Sequence, residues 1–414
     1  MKKGFWTLRY TLINVTYFSA FCTIHACAAV YLLANGFSNT QVGILLAVAN
    51  ILSAVFQPVV AGIIDKQGFL TNRRFILISV LLILLGSILL LFTPANKIFI
   101  FVIYASIYMI QFVYQPVMIA LSFEYQKAGC NIYFGLARGL GSASFAVTSA
   151  FIGGIIEKKG VSVLLLVNIV VMILSAIIVF TFKKPEHFTE TAKDVFSSES
   201  KKLSKKPEQS APFSHTATHN NFFDFIKTYP AFSMFLLGTI CFYFAHNMIN
   251  DFMIQIIRNL GGSETELGYA NFLQAILELP VMALIAFVLK KFSSRTLLVF
   301  SGVAFFVKTL ILTFASNMAT MYLSQSFQLF AYAVFVPASA YYVSQTMGEN
   351  DQVKGQAFVT SAITIGGVFS NLVCGVILDY KGIKPMLITG TFVCAVGVII
   401  SFIAMKKLPH YKNA

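Results

Sequence analysis

The sequence predicts an all-α membrane protein with twelve transmembrane helices in two pseudo-symmetric six-helix halves. Three observations lead there. Of the 414 residues, 57% are hydrophobic and only 11% charged, with a mean hydropathy of +0.78, whereas soluble domains carry about a quarter of their residues charged. Apolar segments long enough to cross a bilayer recur along the whole chain. Finally, three separate stretches repeat at nearly one offset. Gly36-Phe-Ser38-Asn-Thr40-Gln-Val-Gly43 returns as Gly261-Gly-Ser263-Glu-Thr265-Glu-Leu-Gly268 after 225 residues, and Gln57-Pro58-Val59 as Leu279-Pro280-Val281 after 222. Gly153-Gly-Ile155-Ile-Glu157-Lys-Lys159-Gly160 returns as Gly375-Val-Ile377-Leu-Asp379-Tyr-Lys381-Gly382, again after 222, with an acidic residue kept at the fifth position. Six spans per unit preserve orientation, so the halves are expected to be parallel repeats about an axis along the membrane normal.

The expected spans cover residues 10–34, 40–64, 74–94, 98–126, 132–156 and 161–182 in the first half, and 229–257, 264–289, 296–316, 319–346, 354–378 and 385–405 in the second. The N-terminal run follows Lys2-Lys3 like a signal peptide, but it is too long and is interrupted by Asn14 and His25, so an uncleaved first helix is expected. Glycines at 36, 68, 160, 261 and 382 punctuate the turns. Residues 183–221, rich in Lys, Ser, Thr and Pro, cannot bury a core and are expected to be a flexible linker between halves 1–182 and 222–414.

The net charge of +14 resides mostly in loops, which fits the positive-inside rule rather than nucleic-acid binding. Twenty-two Lys and Arg fall on the side of both termini and the linker, against six on the other side, with Arg138 and Lys308 inside spans. Both termini are therefore expected in the cytoplasm of a cell whose plasma membrane holds the chain. The six cysteines include no CxxC pair and are expected to be buried packing thiols. Neither HExxH nor a Ser/His/Asp set is present, so no catalytic residue, metal or cofactor is expected. The Gly135-xxx-Gly139 spacing follows no strand and reads as helix packing.

Polar residues at helical spacing mark single faces of four spans: Asn50, Ser53 and Gln57; Tyr104, Tyr108, Gln111 and Gln115; Asn271, Gln274 and Glu278; and Gln325, Gln328 and Tyr332. Each stripe alone can be interhelical glue; together they predict a polar cavity between the halves. Glu278 and Lys308 lie about 11 and 12 residues from the same membrane face, roughly 17 Å deep at 1.5 Å per residue, so they can meet. A charge at mid-bilayer costs roughly 2.5 to 3.5 kcal/mol, and an ion pair at about 4 Å returns on the order of 4 kcal/mol at an effective dielectric of 20. A purely structural tie between spans 8 and 9 is the alternative. His25 and His246 also fall near mid-depth, where they can titrate near neutral pH or simply bond neighbouring helices; Asn250 and Asp251 lie near His246.

Two six-helix halves with a long linker resemble the major facilitator superfamily, as does Gly62-Ile-Ile-Asp65-Lys66-Gln-Gly68 followed late by Arg73-Arg74. That loop signature implies gating, with Gly62 allowing close helix approach and Asp65 capping a helix or pairing with an arginine. Phe56-Gln57-Pro58 and Tyr133-Phe134-Gly135-Leu-Ala137-Arg138-Gly-Leu-Gly141 resemble the oligosaccharide:proton symporters, and Ala275-Ile-Leu-Glu278-Leu-Pro280 the phenylpropionate permease branch. The resemblance makes Arg138 the cavity arginine and puts Phe145 where those symporters stack a sugar on tryptophan. The chain departs from the pattern at Lys308, which stands for an arginine, and at Gln328 and Ala331, which stand where the histidine and proton-carrying glutamate belong. The family carboxylate of span 4 falls near Ala120, with Glu124 one turn on.

The expectation is a monomeric secondary transporter working by alternating access as a solute:proton symporter, moving a sugar or oligosaccharide, a nucleoside or an aromatic acid. Glu278 and Lys308 would handle the proton. Arg138, Phe145, His25, Tyr108, Gln111, Asn271, Gln274, Gln328 and His246 would meet the solute. Proton-coupled efflux and a non-transporting sensor stay open as alternatives.

Overall fold

The computed structural model describes residues 5–66, 70–92, 96–184, 225 and 227–406, without the side chains of residues 65, 282, 283, 286, 349 and 350. Most of the expected linker and Gly68 therefore lie outside the described residues. Within them every regular element is helical, and each of the twelve expected spans coincides with a helix or a broken helix. Among the described residues, nine helices are long and apolar enough to cross a membrane, ten if a bent pair counts as one span. Eight expected spans correspond to Asn39–Asp65, Asn72–Phe92, Lys97–Lys127, Phe134–Lys159, Ser162–Thr181, Glu264–Lys291, Ser294–Thr313 and Ile383–Lys406, and span 11 to Glu349–Lys381.

Three spans are broken, which the sequence reading did not anticipate. Span 1 runs as Phe5–Phe21, a π-helical turn Cys22–Ala26 and Ala28–Ala34, bent by 47°. Span 7 runs as Pro230–Asp251 and Met253–Asn259, and span 10 as Met318–Ser326, a 3₁₀ turn Phe327–Leu329 and Tyr332–Thr346. None of the breaks contains proline or glycine, while Pro58, Pro116, Pro280 and Pro337 all sit inside continuous helices.

The repeated Gly-x-Ser motif has a local meaning. Gly36 and Gly261 take φ of +79° and +80°, a conformation that costs glycine little and that ends the preceding helix. Ser38 and Ser263 then start spans 2 and 8 with capping boxes through Gln41 and Glu266. Gly160 and Gly382 make the equivalent turns at φ of +81° and +83°, and Gly129 adds an unexpected one at +79°.

The packing is doubled like the sequence. Span 1 lies against spans 5 and 6, span 2 against 4, and span 3 against 4 and 6; span 7 lies against 11 and 12, span 8 against 10, and span 9 against 10 and 12. Spans 2 and 11, and spans 5 and 8, join one half to the other.

The joint is asymmetric along its length. At the end carrying the Gly36 and Gly261 turns, a Cβ on Gly43 or Gly375 would strike main-chain atoms of Asn371 or Asn39, and one on Gly153 or Gly268 would strike those of Glu264 or Ser149. At the linker end, a Cβ on Gly62, Gly135 or Gly139 would meet nothing within 4 Å. Two expectations are corrected here: Gly62 makes no close helix approach, and Gly135 and Gly139 do not pack a helix interface. The apolar core follows the same division. One buried cluster fills the first half and continues into the second through Phe244, Met248, Ile256, Leu267 and Cys374, while a second cluster from Phe225 to Ala404 stays within the second half. The halves meet at the turn end and part at the linker end.

Candidate functional site

Lys308 in span 9 is fully buried. A cation there needs acceptors, because a charge inside the membrane region is expensive unless paired or hydrogen-bonded. Its Nζ donates to Gln328 Oε1 at 2.8 Å and reaches Gln274 Oε1 at 3.5 Å. Gln328 then donates through Nε2 to Glu278 Oε1 at 2.9 Å. Glu278 and Lys308 are thus brought to one place, as their common depth requires, but not as an ion pair: none joins them among the described residues. An amide lies between the charges, accepting from the ammonium and donating to the carboxylate, which is the only orientation that satisfies both. Gln328, which reaches both, lies in the 3₁₀ turn that interrupts span 10.

The other breaks also carry polar residues. His25 belongs to the π-helical turn of span 1, a feature frequent at functional sites. Its ring stacks on Phe21 at 4.0 Å and 8°, meets Tyr108 at 3.7 Å and is edged by Phe112 at 4.5 Å. Gln111 is its polar neighbour, yet both His25 nitrogens and both Gln111 amide atoms are buried without completing a hydrogen bond. Phe145 joins this cluster through Phe21, with ring centroids 6.4 Å apart.

In the other half, His246 lies just before the break in span 7. Its Nε2 is 2.9 Å from Asn250 Nδ2, and its ring stacks on Tyr332 at 5.3 Å and 14°, with Tyr243 and Phe305 at its edges. Lys308 is close enough to act on His246 electrostatically. Asn271, half-buried on span 8, lies one turn before Gln274 on the Glu278 face.

Arg138 belongs to the first half. Its guanidinium covers the Phe18 ring at 4.1 Å and donates to Ser142 Oγ at 2.6 Å. It lies within electrostatic reach of Glu278 and Tyr332 across the joint.

Part of the predicted polar surface is consumed in holding helices together. Gln57 donates to Phe112 O at 3.2 Å, Ser53 reaches Met109 O at 3.5 Å, and Tyr104 donates to Ile24 O at 2.6 Å. At the linker end, Arg73 donates to the carbonyl of Phe180 at 3.1 Å, serving the open C-terminus of span 6. Arg74 N is bonded to Thr71 Oγ1 at 3.3 Å, and the Asp65 side chain lies outside the described residues. Glu124 accepts from Asn72 at 3.0 Å and lies 3.8 Å from Lys184. All six cysteines are free, five of them buried, and the described residues hold no group of three or more metal ligands.

Trp6, the single tryptophan, packs at the linker end against Tyr125 and Phe182 at 5.9 and 5.6 Å, away from these clusters. Solute binding is accordingly expected to leave the tryptophan emission maximum unshifted; a blue shift on titration would place solute at Trp6 instead.

The family model described as "MFS_1 like family" matches residues 6–410. The fold is similar to the crystal structure of the nucleoside transporter NupG, with TM-score 0.73 and 16% identity, covering 98% of this chain and 100% of that one. It is similar to the D-xylose-proton symporter, with TM-score 0.72, 14% identity and 99% of each chain covered. It also resembles a bacterial homologue of the human lysosomal transporter Spinster in an inward-facing, unoccupied conformation, with TM-score 0.68, 12% identity, and 98% of this chain and 97% of that one covered. Among curated proteins, none matches the sequence.

Proposed function

We propose, from the premise that this chain belongs to the MFS_1-like family of major facilitator transporters, that it is a solute:proton symporter of the plasma membrane. The family makes it a multi-pass membrane transporter of a small solute, not an enzyme. The observation that carries the coupling is the Lys308–Gln328–Glu278 chain of hydrogen bonds at the break in span 10. Glu278 is the only carboxylate in it and is the proton carrier of this reading. Lys308 reaches Glu278 through Gln328. A protonated Glu278 presents no net charge to Arg138, whereas a deprotonated one does, and that difference tells the empty carrier from the loaded one.

The halves 1–182 and 222–414, joined by residues 183–221, act as rocking units of a functional monomer. Both termini and the linker lie in the cytoplasm, as the distribution of Lys and Arg supports. The parted linker end is then the cytoplasmic side, and solute leaves there. Arg138 takes an anionic or hydroxyl-bearing group. The two aromatic clusters, His25 with Phe21 and Tyr108, and His246 with Tyr332, offer faces to a flat ring, while Gln111, Gln274 and Asn271 offer amides to its edge. Phe145 completes the first cluster. This chemistry suits a nucleoside best among the three solute classes: a planar base with polar edges, carrying a hydroxylated sugar.

Thermal unfolding of the purified protein against nucleosides, sugars and aromatic acids is the direct test of the solute class, since a ligand at about 100 times its Kd stabilises by roughly 2.7 kcal/mol. A raised midpoint with nucleosides, lost in Arg138→Ala, is expected; a response confined to sugars or aromatic acids reassigns the solute. If flux runs outward with protons moving inward, the protein is an exporter.

A further inference from the structure

The acidic position that the two halves share is part of a pair of contacts between them. Glu157, at the end of span 5, reaches across to the start of span 8, where Thr265 donates to it through its backbone N at 3.2 Å and through Oγ1 at 2.8 Å. Asp379, at the end of span 11, reaches across to the start of span 2. There Asn39 donates through N at 3.1 Å and Nδ2 at 2.9 Å, and Thr40 through N at 2.7 Å. Each carboxylate of one half therefore occupies the N-terminus of a helix in the other, where unsatisfied N–H groups and the helix dipole favour an anion.

The neighbouring charges are already committed elsewhere. Glu264 is paired with Arg258, and Glu266 serves the capping box of Ser263. Asn39 is held in addition by Gln255 of span 7, whose Nε2 donates to Asn39 Oδ1 at 2.9 Å. One turn below each carboxylate lies the glycine that brings the two backbones together, Gly153 under Glu157 and Gly375 under Asp379. The sequence repeat thus encodes both parts of each contact: the Gly-x-x-x-acid of one half and the Ser-x-Thr helix start of the other.

We propose that Glu157 and Asp379 are gating residues of the transport cycle, two symmetry-related latches that hold the turn end closed and must release for it to open. The inference rests on the alternating-access reading but not on the identity of the solute or the proton carrier. A neutral amide in place of either carboxylate keeps the shape and loses the charge-assisted bonds, which are roughly twice as strong as neutral ones. The closed-to-open ratio should fall roughly tenfold for each latch, the change that about 1.4 kcal/mol makes in an equilibrium.

Spin labels on cysteines placed beside each joint read this ratio. Phe151 with Tyr269 flanks the span 5–8 contact and Ile44 with Val376 the span 2–11 contact, and all four side chains are exposed. Pulsed electron paramagnetic resonance of the full chain in liposomes, without solute, is expected to give mainly short distances in the parent protein. Glu157→Gln and Asp379→Asn should each add a longer population, and the double variant should make it dominant. Unchanged distances in a double variant that unfolds at the parent temperature overturn the proposal. If that variant does not fold, Thr265→Val and Asn39→Ala each remove one side-chain donor and should shift the ratio in the same direction by less; no shift in either overturns it equally. Loss of proton coupling in a separate assay leaves these distances untouched, so the two readings fail independently.

Discussion

Glu278→Gln is expected to abolish accumulation of solute against its gradient while exchange of internal for external solute continues at within about twofold of the parent rate, the pattern of a lost coupling step rather than lost binding. Glutamine has the same shape and can still accept from Gln328 Nε2, so the hydrogen bond now 2.9 Å long can persist. What it cannot do is take and release a proton. The carrier then behaves as though permanently protonated: it loads, rocks and exchanges, but it cannot return empty with the proton discharged. Counterflow and pH-driven uptake in the same proteoliposomes separate the two outcomes. Loss of both would mean that Glu278 binds solute rather than carrying the proton.

Gly153→Val is the second large effect. A Cβ at that position would collide with the Glu264 carbonyl group and lie 2.9 Å from Thr265 Cα, and backbone at a helix start cannot move aside as a flexible side chain can. Overpacking costs typically 1 to 3 kcal/mol, which shifts an open–closed balance by roughly five- to 150-fold. The turn end should be held open, with the Phe151–Tyr269 label distance lengthened and net uptake lost. Gly139→Val provides the opposite case. Its added atoms meet open space in the present arrangement, so the closed turn end should be unaffected, while an alternate state that closes the linker end would be obstructed. Equal effects of the two variants on the label distance would contradict a two-state exchange between ends.

Hydropathy made the spans legible because lipid demands it along nearly the whole length of each helix. The turns at Gly36 and Gly261 were legible because a positive φ favours glycine. The breaks were not. Cys22–Ala26 and Phe327–Leu329 contain ordinary helix-compatible residues, and only tertiary contacts decide that the backbone departs from an α-helix there. Depth counting placed Glu278 beside Lys308, yet it could not show Gln328 between them, in the break of span 10. Polar stripes showed which faces avoid lipid but not what each residue bonds: Gln57 and Tyr104 bind neighbouring helices, while Gln111 does not. Glycine spacing misled for a related reason. Gly135 and Gly139 have a packing spacing and face open space, whereas Gly43 and Gly268 carry the close approach; which glycines are in contact depends on which end is closed. The repeated acid at Glu157 and Asp379 was visible as a pattern, but its partner belongs to the other half of the chain.

Solute-dependent proton movement tests the central claim most directly. With proteoliposomes in a weakly buffered medium and no imposed gradient, adding the solute identified by thermal unfolding should make the outside more alkaline as protons enter with it. The same addition to Glu278→Gln proteoliposomes should produce no pH change, although vesicles preloaded with the solute still exchange it for labelled solute. Entry of solute into wild-type vesicles without alkalinisation would contradict the account.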